Sequence, residues 1–268
     1  MKIAIYIPAY NAGATLPRVL DRIPLDIRDK VGEIFIVDNA SPDNTYLVGI
    51  SYAKEKGWSH LKVYRNNTNR GYGGSQKFAY QYAIEQGYDI VIMLHGDAQY
   101  APEKIPNLIE PFEKGDADMV FGSRMTGDPL KGGMPMIRYL GNRFLTIVEN
   151  IVLRWNLSEY HSGYRVYSCA ALKKVPFHKC SDYYHFDTEI LIQFKLAGLR
   201  VRERTIPTYY GDERCYVNIW KYGFAILFTL REYLFHKWKL RYQEKFDLSK
   251  AFGIEQKDIL PATPDQVH

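Results

Sequence analysis

Cysteine is scarce in this sequence, and the few cysteines lie far apart. The chain of 268 residues contains three, at Cys169, Cys180 and Cys215, and none has the short spacing of a zinc or redox motif. An odd number of widely separated cysteines is typical of reduced thiols in an intracellular protein. We therefore expect neither a disulfide framework nor a zinc centre built on cysteine.

Long apolar runs are also missing. A membrane-spanning helix needs about 20 apolar residues, whereas the longest candidate, Tyr222–Leu230, has about half that length and is closed by Arg231. The chain runs directly into an apolar segment, Ile3–Ile7, without the basic leader and cleavage site of a secretory signal. The sequence therefore predicts a cytoplasmic protein without a spanning helix.

A strong excess of charge of one sign is absent. The chain carries 35 basic and 30 acidic residues, which gives a dispersed net charge of +5. This excess is too small to indicate nucleic-acid binding, but it suits anionic ligands such as phosphates. Aromatic residues are abundant instead, with 22 tyrosines, so we expect surfaces of polar-tipped aromatic side chains.

Short segments rich in β-branched residues alternate with helix-like segments in the first half of the chain. The predicted strands are Lys2–Ile7, Glu33–Val37, Leu61–Tyr64, Ile90–Leu94 and Met119–Phe121. The predicted helices are Thr15–Arg22, Ser75–Gln86 and Glu103–Glu113. This alternation predicts an α/β fold with a mostly parallel central sheet flanked by helices. Ligands of such sheets bind outside the carboxyl ends of the strands.

The second half is less regular. Its predicted elements are a helix at Arg138–Arg154, a strand at Gly163–Tyr167, a helix at Asp187–Leu196, a return to the sheet edge at Arg200–Pro207 and an aromatic helix from Val217 to Leu240. No repeat or linker divides the chain. We expect one nucleotide-binding domain over residues 1–215, a helical appendage over 216–245 and a polar C-terminal tail over 246–268.

The segment His95–Tyr100 follows a predicted buried strand and carries two oxygen ligands at alternate positions, Asp97 and Gln99. Alternate residues of an extended segment point to the same side, so both side chains can bind one cation. Mg²⁺ and Mn²⁺ accept carboxylate, amide, water and phosphate oxygens as ligands. The alternative is that Asp97 caps the following helix, which has Pro102 in its first turn.

These segments resemble family-2 glycosyltransferases of the GT-A nucleotide-diphospho-sugar transferase fold, and within them the dolichol-phosphate mannosyltransferase-like, polyprenyl-phosphate branch. The resemblance runs over residues 2–210. The motifs that carry it are Ile7–Asn11, Val37–Asp43, Asn69–Gly74, His95–Glu103, Gly122–Arg124 with Gly132–Gly133, Ser162–Arg165, Phe186–Glu189, and Ile206–Pro207 with Tyr209–Tyr210. Each motif is weak alone, but their shared order and spacing indicate the superfamily.

The resemblance implies which residues bind the nucleotide-sugar donor. They are Pro8, Ala9, Tyr10, Asp38, Asn39, Arg70, Gly96 and Asp97, with Ala9 and Tyr10 lining the base pocket and Asp38 bonding the nucleoside. Asp38 has an alternative role as an Asx-turn residue that ends its strand. The glycine-rich segment Gly71–Gly74 lacks the full pattern of a phosphate-binding loop and is interpreted as a turn before a helix.

The resemblance also implies a metal site and an acceptor site. Asp97 and Gln99, with His95 beside them, would hold Mg²⁺ or Mn²⁺, and Arg124 and Arg138 would bind an acceptor phosphate. The sequence departs from the family at two places. His95 replaces the first metal-binding aspartate, and Asn39 replaces a second carboxylate of the nucleoside turn, which puts tight magnesium binding in doubt.

Two further acids, Asp187 and Glu189, stand where many members of this family place an acidic residue near the acceptor. With a hydroxyl acceptor, one of them would act as general base, whereas a phosphate acceptor needs none. Both could instead be acidic residues in the first turn of a helix, where the helix dipole favours a negative charge. The expected catalytic set is Asp97, Glu189, Asp187 and Arg124.

The aromatic C-terminal helix mixes Trp, Phe and Tyr with Lys and Arg, which suits a membrane interface; packing on the core or on another subunit is the alternative. The resemblance implies metal-dependent, inverting transfer of a sugar from a UDP- or GDP-sugar to a phosphate-bearing lipid such as polyprenyl phosphate, in cell-envelope glycan synthesis. The protein is expected to be cytoplasmic and peripheral on the membrane. A hydroxyl acceptor and nucleotide-sugar binding without catalysis remain alternatives, and a nucleotidyltransferase is less favoured.

Overall fold

The central sheet has seven strands in the computed structural model, which describes residues 1–210 and 217–251. They are β1 (Ile3–Ala9), β2 (Val31–Asp38), β3 (Leu61–Arg65), β4 (Ile90–Met93), β5 (Met119–Ser123), β6 (Arg165–Ser168) and β7 (Val201–Thr205). Their spatial order is β3-β2-β1-β4-β6-β5-β7. Strand β6 runs antiparallel to β4 and β5, and the other neighbouring pairs are parallel.

Helices cover both faces of this sheet. Those of the described residues are α1 (Leu16–Asp21), α2 (Leu25–Arg28), α3 (Thr45–Lys56), α4 (Gly71–Glu85), α5 (Ile105–Glu113), α6 (Met136–Leu153), α7 (Cys169–Leu172), α8 (Phe186–Leu196) and α9 (Ile219–Lys237). Successive strand residues point to opposite faces. In β1, Ile5 and Ile7 pack into one core cluster with residues of α1 and α5, while Tyr6 packs into the other with α4 and α8.

The predicted α/β alternation with a mostly parallel sheet is confirmed, and β7 lies at the sheet edge as expected. Helix α3 lies between β2 and β3 but was not named from the sequence, because it buries only Thr45, Gly49 and Tyr52 and no apolar stripe marks it. Helix α4 begins earlier than predicted, since Gly71–Gly74 form its first turn instead of a preceding loop.

The C-terminal elements pack on the domain, and the predicted division into domain, appendage and tail stays a prediction. Helix α9 packs against α6 and α8 and buries Ile226, Leu230 and Tyr233. The chain then folds back, and Phe246 is 2% exposed although the polar tail was predicted to begin there. The thiols of Cys169 and Cys180 are free and buried, whereas Cys215 and residues 252–268 lie outside the described residues.

Candidate active site

A cleft of about 430 Å³ opens where the carboxyl ends of the parallel strands meet. Eleven of the residues that the sequence predicts for the site line it: Pro8, Ala9, Tyr10, Asn39, His95, Gly96, Asp97, Gln99, Arg124, Arg138 and Asp187. Three predicted residues, Asp38, Arg70 and Glu189, are not part of this lining. Because β6 is antiparallel, the segment that precedes it also reaches this edge, and it adds His161 and Gly163 to the cleft.

Asn39 organises the wall that follows β2. Its amide nitrogen donates to Asn69 Oδ1 at 2.9 Å and to the carbonyl oxygen of Gly71 at 3.2 Å. Its amide oxygen accepts from Asn66 Nδ2 and from the backbone N–H of Arg70, both at 2.9 Å. A carboxylate has no donor and could not make the first two bonds. The departure from the family at this position is therefore matched by the surrounding hydrogen bonds.

Asp38 and Arg70 lie behind that wall. The Asp38 side chain is fully buried, accepts a hydrogen bond from the backbone N–H of Ser41 at 3.1 Å, and lies 3.3 Å from Arg65 Nε. This arrangement is the Asx-turn alternative considered for Asp38. Arg70 is the residue before the first turn of α4, and its backbone N–H is committed to Asn39. A nucleoside role for either residue stays a prediction.

The first turn of α4 needs glycine for close packing. The Gly73 N–H donates to the carbonyl oxygen of Asp182 at 2.8 Å. A Cβ atom on Gly73 would lie 2.2 Å from the carbonyl oxygen of Ser181, a backbone atom that cannot rotate away. This contact holds α4 against the segment before α8. Tyr183 and Tyr184 of that segment form part of the cleft wall.

The loop after β4 presents Asp97 to the cleft. The Gly96 N–H donates to the Pro8 carbonyl oxygen at 3.2 Å, and its own carbonyl oxygen accepts from Thr15 Oγ1 at 2.6 Å, so the loop is fixed to the end of β1. Asp97 Oδ1 accepts from the Gln99 N–H at 3.0 Å, and the Asp97 side chain is 40% exposed. Asp97 therefore orders its own loop and still offers oxygen to a ligand in the cleft.

His95 is held between two tyrosines beside Asp97. Its ring meets Tyr72 and Tyr100 edge-on, with centroid distances of 5.8 and 5.1 Å. Burial lowers the pKa of the His95 imidazole below its ordinary value of 6.5, although Asp97 and Asp187 act in the opposite direction. The ring is thus neutral at neutral pH, which is the form that binds metals. Its Nδ1 lies 4.0 Å from Asp97 Oδ2.

The donor set at this loop fits a cation that completes its coordination with water and phosphate oxygens. Asp97, Gln99 and the neutral His95 ring all line the cleft. Across residues 1–210 and 217–251, no group of three or more His, Cys, Asp and Glu side chains forms a metal cage. A single carboxylate with waters and substrate phosphates is typical of Mg²⁺ or Mn²⁺ and differs from a closed zinc site.

Arg124 follows β5, lines the same cleft and is fixed by the buried Glu159. The Arg124 side chain pairs with Glu159 through Nε at 3.0 Å and through a short contact of Nη2, and its backbone N–H donates to the same carboxylate at 2.8 Å. Burial raises the pKa of Glu159, but the charge of Arg124 and the hydrogen bonds outweigh it and bring the pKa below the ordinary 4.5. Arg124 Nη1 also donates to the Tyr210 hydroxyl at 3.2 Å.

Arg138 reaches the same part of the cleft from α6. Its guanidinium carbon lies 5.7 Å from the centre of the Tyr210 ring, so Arg124 and Arg138 contact one tyrosine. Asn142, one turn later on α6, donates to Glu159 Oε1 at 2.8 Å. The structure therefore brings together the two arginines that the sequence analysis assigned to an acceptor phosphate.

Asp187 and Glu189 point to different parts of the molecule. Asp187 lines the cleft, where it accepts a hydrogen bond from the Tyr72 hydroxyl at 3.0 Å and lies 3.6 Å from Arg165 Nη1. Glu189 is fully buried on the far side of α8, accepting from the Ser181 N–H at 2.6 Å and from Lys245 Nζ at 2.5 Å. The structure thus leaves Asp187 beside the substrates and uses Glu189 to hold the folded-back chain.

Several cleft residues escaped the sequence analysis. They are Tyr72, Tyr100, His161, Tyr183, Tyr184 and Tyr222, with Glu159 behind the wall. A motif noted in the sequence, Ser162–Arg165, stood beside His161 and Glu159, but nothing in a single sequence tells which neighbour of a motif faces a cleft. Tyr72 and Tyr100 stand inside the motifs Asn69–Gly74 and His95–Glu103, but no role was assigned to them. For the other tyrosines, the tyrosine-rich composition was the available signal.

Helices α6 and α9 expose apolar side chains next to the cleft. On α6, Ile137, Leu140, Phe144, Ile147 and Ile151 are each more than half exposed and recur at helical spacing. On α9, Trp220 and Phe224 are 72% and 71% exposed. Arg138 and Tyr222 of these two helices line the cleft. Among the described residues, no helix is long and apolar enough to cross a membrane.

Known proteins resemble this chain in fold and in sequence. The crystal structure of glucosyl-3-phosphoglycerate synthase from Mycobacterium tuberculosis with Mn²⁺, UDP-glucose and phosphoglyceric acid superposes with a TM-score of 0.65 at 20% identity, over 87% of this chain and 79% of that one. The undecaprenyl-phosphate mannosyltransferase of Micrococcus luteus is 30% identical over 206 residues, which cover 76% of this chain and 82% of the relative.

A second relative is the UDP-N-acetylglucosamine–dolichyl-phosphate N-acetylglucosaminyltransferase of Methanococcus voltae, 28% identical over 220 residues that cover 78% of this chain and 86% of the relative. The fold is thus the GT-A fold of glycosyltransferases. The sequence model described as Glycosyl transferase family 2 matches residues 4–176. The chain belongs to this family and is a glycosyltransferase.

Proposed function

We propose that this enzyme transfers a sugar from a UDP- or GDP-sugar to a polyprenyl phosphate, with inversion at the anomeric carbon and with help from a divalent cation. The observation that carries the proposal is that one cleft holds both sets of residues. Asp97 and Gln99 line it after β4, and Arg124 and Arg138 line it around Tyr210. Both relatives named above are, by their names, transferases to polyprenyl-type phosphates.

The donor would occupy the wall built from Pro8, Ala9, Tyr10 and Asn39, with its diphosphate towards Asp97. Asp97, Gln99 and the His95 ring would hold Mg²⁺ or Mn²⁺, which stabilises negative charge on the leaving nucleoside diphosphate. The ring is neutral because burial lowers its pKa, so it adds no positive charge that would repel the metal.

The acceptor phosphate would bind at Arg124, with Arg138 beside it. Arginine matches phosphate oxygens in geometry and charge, and Glu159 fixes the Arg124 side chain before any substrate arrives. The phosphate oxygen is already anionic, so attack on the anomeric carbon needs no general base. Asp187 then has an electrostatic and positioning role, and its oxygens already contact Tyr72 and Arg165.

The hydroxyl-acceptor alternative would have to use Asp187 as its base, because Glu189 is fully buried away from the cleft. With a polyprenyl phosphate acceptor, the lipid chain would leave the cleft over the exposed apolar side chains of α6 and α9, with the protein peripheral on the cytoplasmic face of a membrane. The basic side chains near this surface, among them Arg143, Lys221 and Arg231, suit anionic headgroups.

The test is nucleoside diphosphate release by the purified protein with a panel of UDP- and GDP-sugars, with Mg²⁺ or Mn²⁺, and with or without a short polyprenyl phosphate. We expect release that requires lipid phosphate and metal. Asp97→Ala should lower the rate at least about 100-fold, whereas Asp116→Ala, an exposed carboxylate outside the cleft, should not. Nucleotide binding without release on any acceptor would instead establish the binding-only alternative.

A further inference from the structure

Helix α9 brings a tyrosine into the cleft. Tyr222 lines the cleft together with Arg124 and Asp187. It precedes the buried Ile226 by four residues and Leu230 by eight, so all three share the inward face of the helix. The packing that anchors α9 on the domain therefore also sets the position of the Tyr222 side chain.

His161 holds the Tyr222 hydroxyl in place. His161 Nδ1 and the Tyr222 oxygen are 2.9 Å apart, and the two rings meet edge-on at a centroid distance of 5.5 Å. The other ring nitrogen, Nε2, lies 3.0 Å from Glu149 Oε2. His161 Nδ1 is thus hydrogen-bonded to α9, while Nε2 lies at ion-pair distance from α6 without hydrogen-bond geometry.

Glu149 is a buried carboxyl group that needs a polar partner. Its side chain is fully buried, and its Oε1 accepts from Thr188 Oγ1 at 3.0 Å. Among the described residues, His161 is the basic side chain at ion-pair distance. A buried carboxyl group without a polar partner is strongly disfavoured, so the contacts with His161 and Thr188 hold Glu149 in its buried position.

Either His161 Nδ1 or the Tyr222 hydroxyl can donate in the hydrogen bond between them. When Nδ1 carries the proton, His161 donates to the Tyr222 oxygen, and the Tyr222 O–H proton is free to point into the cleft. Burial, together with the nearby Asp187 and Glu149, raises the pKa of the Tyr222 hydroxyl well above its ordinary value, so the group keeps its proton. The chain from Glu149 through His161 orients one hydrogen-bond donor.

We propose that Tyr222 donates a hydrogen bond to the phosphate of the acceptor, and that His161 and Glu149 are positioning residues that orient it. The inference rests on the proposed function. Arg124 Nη2 donates to the backbone carbonyl oxygen of His161 at 3.1 Å, so the guanidinium and the tyrosine are fixed to one residue that lines the cleft. A phosphate group there would accept from Arg124 and from Tyr222.

The test is steady-state kinetics in which the short prenyl phosphate and the sugar nucleotide are varied separately. Tyr222→Phe keeps the ring and removes the donor. It should lower kcat/KM for the prenyl phosphate about 10-fold to 100-fold, as expected for one hydrogen bond to a charged group, with the KM for the sugar nucleotide unchanged. Tyr233→Phe, on the same helix and outside the cleft, is the matched control.

His161→Gln should cause a similar loss, and the double variant with Tyr222→Phe should be no worse than either single variant, because both changes remove one interaction. Unchanged acceptor kinetics in Tyr222→Phe, or fully additive losses in the double variant, would overturn the proposal. If His161→Gln does not fold, the acceptor kinetics of Tyr222→Phe alone test the proposal. A wild-type enzyme that transfers nothing to prenyl phosphate would refute the proposed function itself, which is a separate result.

Discussion

Two residues of the cleft, Asn39 and His95, stand where the family has carboxylates, and in both cases the surrounding residues suit the side chain that is present. Asn39 stands where the family has a carboxylate, and its amide makes four hydrogen bonds, two of which need a donor. His95 stands where the family has a metal-binding aspartate, and its burial keeps the ring neutral. Both side chains are therefore accommodated by their surroundings, and cation binding at this loop stays a prediction.

The ion pair between Arg124 and Glu159 predicts a specific dependence of stability on pH. Glu159 has a lowered pKa in the folded protein, so it stabilises the fold above the unfolded value, and this contribution is lost as pH falls through the folded value. Glu159→Gln should therefore lower the free energy of unfolding by about 3 kcal/mol at pH 7. The difference from wild type should narrow below about pH 4.5.

Urea unfolding of the wild type and of Glu159→Gln between pH 7 and pH 3 measures the difference in the free energy of unfolding.

Glu203→Gln gives the contrasting control. Burial raises the pKa of Glu203 above its ordinary value, so its contribution is present at low pH and is lost as pH rises through the folded value. The wild type should therefore lose stability relative to Glu203→Gln as pH increases. A gap between wild type and Glu159→Gln that stays constant from pH 7 to pH 3 would contradict the ion-pair account.

At the scale of helices and strands, periodic apolar segments were predictable and close contacts were not. β1 and β4 are continuous apolar runs, and their burial on both faces follows from composition. α3 lacks an apolar stripe and was not named from the sequence. The reversed direction of β6 was also unpredictable, since it depends on pairing with β4 and β5, which are distant in sequence.

The two glycines Gly73 and Gly223 should respond in opposite ways to alanine, although both lie inside helices. Gly73→Ala places a Cβ 2.2 Å from a backbone oxygen and should destabilise the protein by roughly 1–3 kcal/mol. A Cβ atom on Gly223 would meet nothing within 4 Å, so Gly223→Ala should stabilise the protein by about 0.5–1 kcal/mol. Thermal unfolding compares the two, and equal shifts would contradict the packing described for α4.

The apolar faces of α6 and α9 predict binding to lipid surfaces. Phe144→Ser with Ile147→Ser removes two side chains that are 58% and 54% exposed. This double variant should float with anionic vesicles several-fold less than wild type, because apolar burial and charge together drive interfacial binding. Leu25→Ser with Leu47→Ser, also more than half exposed but on α2 and α3, is the control.

Equal flotation of the two double variants would show that this face does not contact lipid. A change in oligomeric state of the Phe144 and Ile147 variant, without a change in flotation, would instead identify the face as a contact between copies of the chain. Sedimentation of the same samples distinguishes the two results.

At the scale of the whole molecule, the cleft is assembled from parts that are distant in sequence. Its lining comes from the ends of β1, β2, β4 and β5, from α6, from the segment before β6 and from Tyr222 of α9. Strand-end motifs made the lining after β1, β2 and β4 predictable. Glu159, His161 and Tyr222 were not, because their places depend on how β6 and α9 pack.

The central claim is that the acceptor group is a phosphate. The most direct measurement compares a polyprenyl phosphate with the polyprenol of the same chain length, using the sugar nucleotide that supports turnover and identifying the product by mass. The account predicts a glycosyl phosphate lipid from the first and no product from the second, with Arg124→Ala and Arg138→Ala abolishing transfer while nucleotide binding persists. Glycosylation of the polyprenol at a comparable rate would contradict it.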